Sequence, residues 1–489
     1  MDRSSHLRHL AFHGGVFLFW IFSLGTLGFR EIGAPWLNHQ RVSSVVSPST
    51  MGPEGRESWL GIYADQAKIG YLHQKEGASS EVPGGREEWQ EGKIVLSMLG
   101  ERRDLNMTSE MHTNSQGQIA RISAELYSAA GRLTVSGVRV GESLQLTLQQ
   151  GQARWSSTIP LTRPTILPSQ LPQLIASGQL KPGRPVSLTL VDPFSLQPGQ
   201  AEVQLLDRRP FLLGKERVWA HVVELRYQGL STKSWFGDDG TLLLEESPWG
   251  WTLRQEDPST ASRIDLEQWR HPPDLLSMVA VPGDVWIHQP REVTFLQAVV
   301  SRPDRPQPEL LTIQPDLPPE APPARPIRDP AFARDLGATP FIQVDRPEIR
   351  RRAASVIGAE TNSWEAAKRI NEWVYRSVRK IPTMGLPVST EVLRRLEGDC
   401  NEHTCLAVAL LRASGVPCRI VMGVVYFEGA FVYHTWPRVY VGRWVDLDPT
   451  LGQAPVDATH IPLLEADLEE SVRMAPLVGR LKINVESYR

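Results

Sequence analysis

The sequence predicts an α+β domain at the C-terminal end of the chain, preceded by a β-rich antiparallel region and an N-terminal transmembrane helix. The first apolar run contains no Asp, Glu, Lys or Arg, alternating apolar and polar residues fill the middle of the chain, and helical spacing of apolar residues follows. A length of 489 residues is enough for two or three domains. In chain order we expect an N-terminal cytoplasmic tail at 1–10, a transmembrane anchor at 11–29, a β-rich extracytoplasmic region at 57–300, a proline-rich linker at 301–344, the α+β domain at 345–465 and a C-terminal extension at 466–489.

The apolar run at residues 11–29 is long enough to cross the hydrocarbon core of a bilayer, and Arg3 and Arg8 precede it. A cleaved signal peptide is the alternative interpretation. Such a peptide usually has a shorter apolar region that ends in small residues, whereas Phe29 and Arg30 end this one. Because the arginines on the two sides are nearly balanced, the orientation follows from the architecture, in which a large domain behind one anchor usually lies outside the cytoplasm. We therefore expect a single-pass membrane protein with a cytoplasmic N-terminus and an extracytoplasmic main body.

Net charge and cysteine content exclude several classes of partner and site. A formal net charge of -3 provides no global basic field, which argues against nucleic acid as a partner. The cysteines, Cys400, Cys405 and Cys418, lie close together, which is not the pattern of a disulfide-rich secreted protein. His403 lies between two of them, but no second ligand pair follows at zinc-like spacing. We therefore predict no metal ion and no organic cofactor.

Two-residue alternation of apolar side chains predicts the strands of the β-rich region. In WLGIYADQAKIGYLH, Trp59 and Tyr63 precede a polar turn, and Ile69 and Tyr71 follow it at the same period, which predicts a hairpin. The alternation returns in HVVELRYQGL and TLLLEE, with glycine and aspartate at 237–240 as turn residues. The segment PSQLPQLIASGQLKPG has helical spacing and a glycine stop, so it predicts a short helix between strands.

Residues 302–330 are rich in proline, which lacks the N–H that a β-ladder needs and favours an extended, semi-rigid backbone. The domain boundary is predicted in this segment. We interpret the segment as a spacer, and the alternative is a docking segment for a polyproline-binding partner.

A helix with a cysteine at its start is the first candidate for chemistry. An amphipathic helix is predicted over 364–381, and a second one follows in GDCNEHTCLAVALLRASG, with Asp399 as its N-cap and Gly415 as its stop. An apolar run at 420–425 then predicts a strand. Cys400 lies in the first turn of this second helix, where unpaired N–H groups and the helix dipole favour a thiolate over a thiol.

The next segment, FVYHTWPRVYVGRWVDLDPT, predicts two antiparallel strands joined near Gly442. His434 lies on the first strand and Asp448 closes the second, so pairing of the strands brings the two side chains together. Packing of the preceding helix against this sheet then presents Cys400 to the imidazole. Such a set has a sulfur that attacks, a base that accepts its proton, and a carboxylate that orients the base.

The strings G-D-C-N-E-H, H-T-W and W-V-D-L-D-P-T, in this order, resemble the bacterial members of the transglutaminase-like superfamily over residues 345–465. The resemblance implies a papain-like α+β fold. It also implies that Cys400 is the nucleophile, His434 the base and Asp448 the orienting acid. The W-x-G-x-Y opening of the β-rich region is similar to extracytoplasmic modules that precede such domains. At Arg438 relatives often have an acidic residue, and we expect this departure to alter substrate preference and not the triad.

Several neighbouring residues have competing interpretations. His403, one helical turn after the cysteine, is either a second base in the pocket or a hydrogen-bonded helix residue, and we favour the latter. Asp446 is the rival of Asp448 for the orienting role. Cys405 and Cys418 are expected to be buried, inert thiols. His460 is interpreted as structural.

These residues predict thiol-dependent acyl transfer on the amide bonds of a peptide or protein substrate. Hydrolysis and cross-linking both remain open, since they differ only in whether water or an amine accepts the acyl group. The N–H of Cys400 is one natural oxyanion donor, and the second donor is not assigned. The alternative is a catalytically inactive binding or assembly module, in which the β-rich region recognises a partner in the cell envelope.

Overall fold

The computed structural model of the protein describes residues 40–41, 55–64, 67–98, 101–128, 131–150, 153–161, 165–166, 171–191, 198–227, 230–247, 250–264, 279–381, 383 and 387–489. The predicted tail and anchor at 1–29 lie outside this part of the chain. No helix formed by the described residues is both long and apolar enough to cross a bilayer. The described residues divide into two compact units, a β-rich unit that contains most of the residues up to 264 and a C-terminal unit that contains those from 279 onward.

The β-rich unit is a large sheet of strands that are mostly antiparallel, as predicted. The hairpin predicted in WLGIYADQAKIGYLH is confirmed by pairing of β2 with β3, and the predicted short helix is α1. Strand β11 is paired in parallel with β1 and β10. The strands are β1 Gln40–Arg41, β2 Arg56–Ala64, β3 Ala67–Ala78, β4 Arg86–Met98, β5 Glu101–Thr113, β6 Ile119–Ser128, β7 Gly131–Val140, β8 Ser143–Gln150, β9 Ala153–Pro160, β10 Thr165–Ile166, β11 Val186–Val191, β12 Pro198–Leu213, β13 Glu216–Tyr227, β14 Leu230–Gly237, β15 Leu242–Glu246 and β16 Trp251–Glu256, and the helices are α1 Leu171–Ala176 and α2 Pro258–Ala261.

Alternation in the sequence becomes alternation in burial within this sheet. On β8, Leu144, Leu146 and Leu148 are 0%, 1% and 1% exposed, while Gln145 between them faces solvent. Successive side chains of a strand point to opposite faces, so one face of β8 packs into a core and the other is wet.

The C-terminal unit has the predicted α+β architecture. Its main sheet has the strand order β17-β23-β22-β25, with β24 also paired to β23, and helices pack beside it. The strands are β17 Val281–Pro282, β18 Leu296–Ser301, β19 Glu309–Ile313, β20 Arg379–Lys380, β21 Glu397–Gly398, β22 Cys418–Phe427, β23 Ala430–Tyr440, β24 Trp444–Asp446, β25 His460–Glu465 and β26 Lys482–Tyr488. The helices are α3 Ala333–Leu336, α4 Pro347–Ile357, α5 Ser363–Ser377, α6 Ser389–Arg395 and α7 Cys400–Ala413, and short 3-10 helices lie at Pro290–Glu292, Pro330–Phe332 and Leu468–Leu477.

The segments predicted as a linker and a C-terminal extension belong to the C-terminal unit. Strand β18 pairs with β19, from the predicted linker at 301–344, and with β26, from the extension at 466–489. Phe341 and Ile342, at the end of the linker segment, are 4% and 0% exposed. The segment therefore differs from the predicted spacer. Proline removes a ladder hydrogen bond only at its own position, and the ELLTI sequence of β19 contains none.

Helix α7 begins at Cys400 and runs through the centre of this unit. Asp399 is its N-cap, as predicted, because Asp399 Oδ1 accepts the N–H of Asn401 at 3.0 Å. Glu402 completes a capping box by accepting the N–H of Asp399 at 2.9 Å. Every side chain from Cys400 to Arg412 is buried, since helices α4 to α6 and strands β22 and β23 surround this helix.

The β22–β23 hairpin carries His434, which pairs with Gly423 on the neighbouring strand. A Cβ atom at Gly423 would lie 2.1 Å from the carbonyl oxygen of Ile461 on β25 and 2.7 Å from the ring of Trp436. Only glycine therefore allows β25 and the Trp436 ring to approach β22 this closely.

Replacing Gly423 with alanine should destabilise the C-terminal unit by about 1–3 kcal/mol, the usual cost of overpacking a well-packed core. Chemical unfolding followed by tryptophan fluorescence measures this loss. Gly77→Ala is the control, because a Cβ at Gly77 on strand β3 meets nothing within 4 Å. Equal stability of the two variants would contradict the prediction.

Candidate active site

Cys400 occupies the first position of α7 and is 3% exposed. The backbone N–H of Thr435 donates a hydrogen bond to its sulfur, and Asn401 Nδ2 lies 3.6 Å from Sγ. Since Thr435 directly follows His434 on β23, this contact holds the thiol against the strand that carries the predicted base. Cys400 is a free thiol, as are Cys405 and Cys418, which are both 0% exposed.

His434 and Asp448 are in direct contact. His434 Nε2 donates to Asp448 Oδ2 at 2.7 Å, and both side chains are completely buried. Asp448 lies just beyond strand β24, which is paired with β23, so the short connection between these strands brings the carboxylate back to the imidazole. Asp448 therefore takes the Nε2 atom of the His434 ring as its partner.

The carboxylate of Asp448 accepts four hydrogen bonds. Its Oδ1 accepts the N–H groups of Thr450 at 2.7 Å and Leu451 at 2.9 Å, the geometry of an Asx-turn. Its Oδ2 accepts both His434 Nε2 and, at 3.1 Å, His460 Nε2. Burial by itself would raise the pKa of Asp448, but the two histidines hold it well below its usual range. The group is therefore a fixed anion.

His460 is the residue that sequence reasoning missed. It was interpreted as structural, yet it contacts the same oxygen of Asp448 as His434 does. His460 opens strand β25, which pairs with β22, so β22 separates the two strands that carry the histidines. The only local signal is Asp457, three residues earlier, whose backbone oxygen lies 3.3 Å from His460 Nδ1.

Asp446, the rival for the orienting role, is committed elsewhere. Asp446 Oδ2 accepts Trp436 Nε1 at 2.9 Å and Arg438 Nη2 at 2.9 Å. Arg438 also pairs with Glu465. Arg438 therefore neutralises two carboxylates, those of Asp446 and Glu465. Of the two aspartates, Asp448 is the one that contacts His434.

The protonation state of Cys400 in the resting site differs from the predicted one. Burial raises the pKa of the Cys400 thiol well above its usual value, and the nearby Asp399 raises it further. The start of α7 does not counter this, because its capping box places the carboxyl groups of Asp399 and Glu402 beside the cysteine. Burial also lowers the pKa of His434, against the attraction of Asp448. These directions favour a neutral Cys400 thiol and a neutral His434 imidazole in the resting site, and not the predicted thiolate.

His403 follows the favoured interpretation of a hydrogen-bonded helix histidine. It is 0% exposed, and its Nδ1 lies 2.8 Å from the carbonyl oxygen of Asp399. Burial lowers its pKa to about 4, so the ring is neutral at physiological pH.

One group of residues near the site has a spacing at which metal ligands also occur. One ligand atom from each of His434, Asp448 and His460 lies within 4.8 Å of the others. Tetrahedral ligands at about 2.0–2.1 Å from zinc would be about 3.3 Å apart. The observed distances of 2.7 Å and 3.1 Å to Asp448 Oδ2 are those of hydrogen bonds.

Comparisons with known proteins identify one family model and two solved structures that this chain resembles. The family model described as "Transglutaminase-like superfamily" matches residues 350–449. No curated protein sequence matches the chain. A candidate cysteine protease from Cytophaga hutchinsonii has 17% identity and a TM-score of 0.26, covering 33% of this chain and 55% of that one. A β-barrel-like protein of a domain of unknown function from Brucella abortus has 10% identity and a TM-score of 0.31, covering 42% of this chain and 95% of that one.

The match to the Cytophaga protein spans little more than half of that protein's length. The family model, in contrast, covers the helix that starts with Cys400, the strand with His434 and the turn with Asp448. The chain therefore carries a transglutaminase-like domain at residues 350–449, preceded by a large antiparallel β-rich region.

Proposed function

We propose that this domain catalyses thiol-dependent acyl transfer on peptide-like amide bonds. Cys400 is the nucleophile, His434 the general base and Asp448 the residue that orients the base. The observation that carries the proposal is the buried hydrogen bond of 2.7 Å between His434 Nε2 and Asp448 Oδ2, on the strand whose next N–H contacts the Cys400 sulfur.

In the proposed reaction, His434 Nδ1 accepts the proton of the Cys400 thiol as the sulfur attacks the carbonyl carbon. The imidazolium formed is stabilised by Asp448, which keeps Nε2 protonated. Collapse of the tetrahedral intermediate breaks the C–N bond, and the leaving amine takes the proton from His434. Water or a second amine then attacks the thioester, gives its proton to His434, and releases the acyl product and the Cys400 thiol.

The neutral resting pair is compatible with this order of events. Proton transfer accompanies attack, so a thiolate need not exist before the substrate binds. The N–H of Cys400 is the first oxyanion donor, because the start of a helix leaves its first N–H groups without helical partners.

An acylation experiment tests the proposal. The full chain is treated with p-nitrophenyl acetate, and peptides are analysed by mass spectrometry. We expect an acetyl adduct on Cys400, formed about 10²–10⁴ times more slowly in His434→Ala, the usual contribution of a general base. Equal acylation of the two proteins, or acylation only at other residues, would overturn the assignment.

A second candidate function is a binding or assembly module in the cell envelope. The raised pKa of Cys400 and its 3% exposure favour this reading, because an inert buried thiol has the same properties. Retention of the biological activity by Cys400→Ala in cells would support it.

For either function we propose that residues 11–29 anchor the chain in a membrane, with the main body outside the cytoplasm. In this position the β-rich unit could contact a partner. Extraction of the chain from membranes by carbonate alone would contradict the anchor.

A further inference from the structure

The hydrogen-bonded pair of His434 and Asp448 is part of a longer series of charged groups. His460 Nε2 donates to Asp448 Oδ2 at 3.1 Å, and His460 Nδ1 lies 3.5 Å from Asp457 Oδ2. Asp457 in turn pairs with Arg291 Nη1 at 3.0 Å. Arg291 is the member of this series that reaches solvent, with a side chain that is 30% exposed.

These contacts are held by packing in a dry region of the sheet. The ring of Trp436 packs edge-on against His460, with centroids 5.1 Å apart, and is stacked on His434 at 5.9 Å. All three rings are at most 2% exposed. Bulk solvent therefore does not reach these rings. The two imidazoles both donate to Asp448 Oδ2.

The charges along this series of side chains alternate in sign. Burial by itself would lower the pKa of His460, but Asp457 and Asp448 raise it to about 9, so the ring is an imidazolium at neutral pH. Asp457 is held at a pKa of about 2 by His460 and Arg291, against its own burial. Arg291, Asp457, His460 and Asp448 are thus positive, negative, positive and negative, and the series ends at the neutral His434.

We propose that His460 is a positioning residue for the acyl-transfer site: it donates to the same oxygen of Asp448 as His434 does, and so fixes the carboxylate and offsets its charge. The inference rests on the proposed function and deepens it. A lone buried Asp448 would favour the protonated, inactive form of His434. The positive charge of His460 opposes this protonation, with ring centroids only 5.9 Å apart, and so keeps His434 available as a base.

Other charged and titratable groups also face this site and remain unchanged in the experiments below. They are Asp399 at the N-cap of α7, Glu402 and His403 in α7, Lys380 from β20, Arg291 from the 3-10 helix Pro290–Glu292, and Asp457 from the segment before β25.

The test is the pH dependence of iodoacetamide labelling at Cys400, followed in the full chain by peptide mass spectrometry. His460→Gln keeps an N–H near the position of Nε2 but removes the charge. Loss of a nearby positive charge raises the pKa of both members of the thiol–imidazole pair. We therefore expect the pH of half-maximal labelling to rise by about one unit. His460→Asn, which keeps an amide near Nδ1, should shift it in the same direction.

His73→Gln is the matched control, because His73 is also a buried histidine bound to a carboxylate, Glu57, at 2.7 Å, but lies in the β-rich unit. It should leave the labelling profile unchanged. A residue with a purely structural role would lower stability without moving the pH of half-maximal labelling, so an unmoved profile in both His460 variants overturns the inference. If His434→Ala leaves the labelling profile of Cys400 unchanged, the proposed function itself fails.

A second measurement needs no labelling. A histidine with a folded-state pKa of about 9, above the unfolded value near 6.5, stabilises the fold fully below pH 6.5. This stabilisation is lost as pH rises through 9. In the full chain, the melting temperature of the C-terminal unit should therefore decrease as the pH rises from about 6.5 to about 9. The decrease should be smaller in His460→Gln. A parallel decline in the two proteins would count against a charged His460.

Discussion

Replacing Cys400 with serine should reduce acyl transfer by more than about 10³-fold while the C-terminal unit stays folded. The hydroxyl is nearly isosteric with the thiol but is a far weaker acid. His434, whose pKa is lowered by burial, is too weak a base to activate it. Removing the members of a nucleophile–base pair costs this much or more in comparable sites. The rate of p-nitrophenol release measures the effect.

Cys405→Ser is the matched control for this prediction. Cys405 lies in the same helix, is 0% exposed, and its sulfur lies 3.5 Å from the carbonyl oxygen of Phe341 and 3.4 Å from that of Pro387. Its serine variant should keep the activity of the unmodified chain. If both serine variants lose activity equally, the loss comes from the packing of α7 and not from the nucleophile.

Replacing Asp448 with asparagine should have the second largest effect. An asparagine presents one oxygen and one NH₂ group where the carboxylate now accepts four hydrogen bonds, two of them from imidazoles. The NH₂ group of the asparagine must therefore face donors, either the N–H groups of the turn at Thr450 or those of the two histidines. We expect a loss of about 10²–10⁴-fold in acyl transfer, because His434 no longer has a fixed tautomer. Breaking a buried charged pair should also cost about 3–5 kcal/mol of stability.

Asp446→Asn separates these two effects. Asp446 is 7% exposed and pairs with Arg438, so its variant should also lose stability. It does not contact His434, and activity per folded molecule should therefore be kept. Chemical unfolding and active-site titration on the same samples provide both quantities. Equal losses of activity in the two asparagine variants would mean that orientation of His434 by Asp448 is not what the reaction needs.

The local parts of the site were predictable because local interactions form them. Asp399, as N-cap, and Gly415, as the glycine stop, set the ends of α7 by contacts within a few residues. The turn around Gly442 and the alternation of apolar residues likewise define the hairpin that carries His434. The prediction of two strands and a helix in this order follows from such short-range signals.

The proline-rich segment is a part of the fold that local signals do not predict. Composition predicted a spacer at 301–344, yet β19 pairs with β18, which in turn pairs with β26 near the end of the chain. A stretch as short as ELLTI has no periodicity that distinguishes a strand from extended coil. Pairing with partners that are distant in sequence decides between them.

Caps, turns and the alternation of apolar residues act over a few residues, so they predict the elements on which Cys400, His434 and Asp448 lie. Long-range packing selects the aspartate that contacts His434, brings His460 to the same carboxylate and makes the cysteine a buried, neutral thiol. The physical reason is that hydrogen-bond partners, burial and pKa depend on strands that pair across β22 and on helices packed around α7. Those contacts join residues that no local pattern relates.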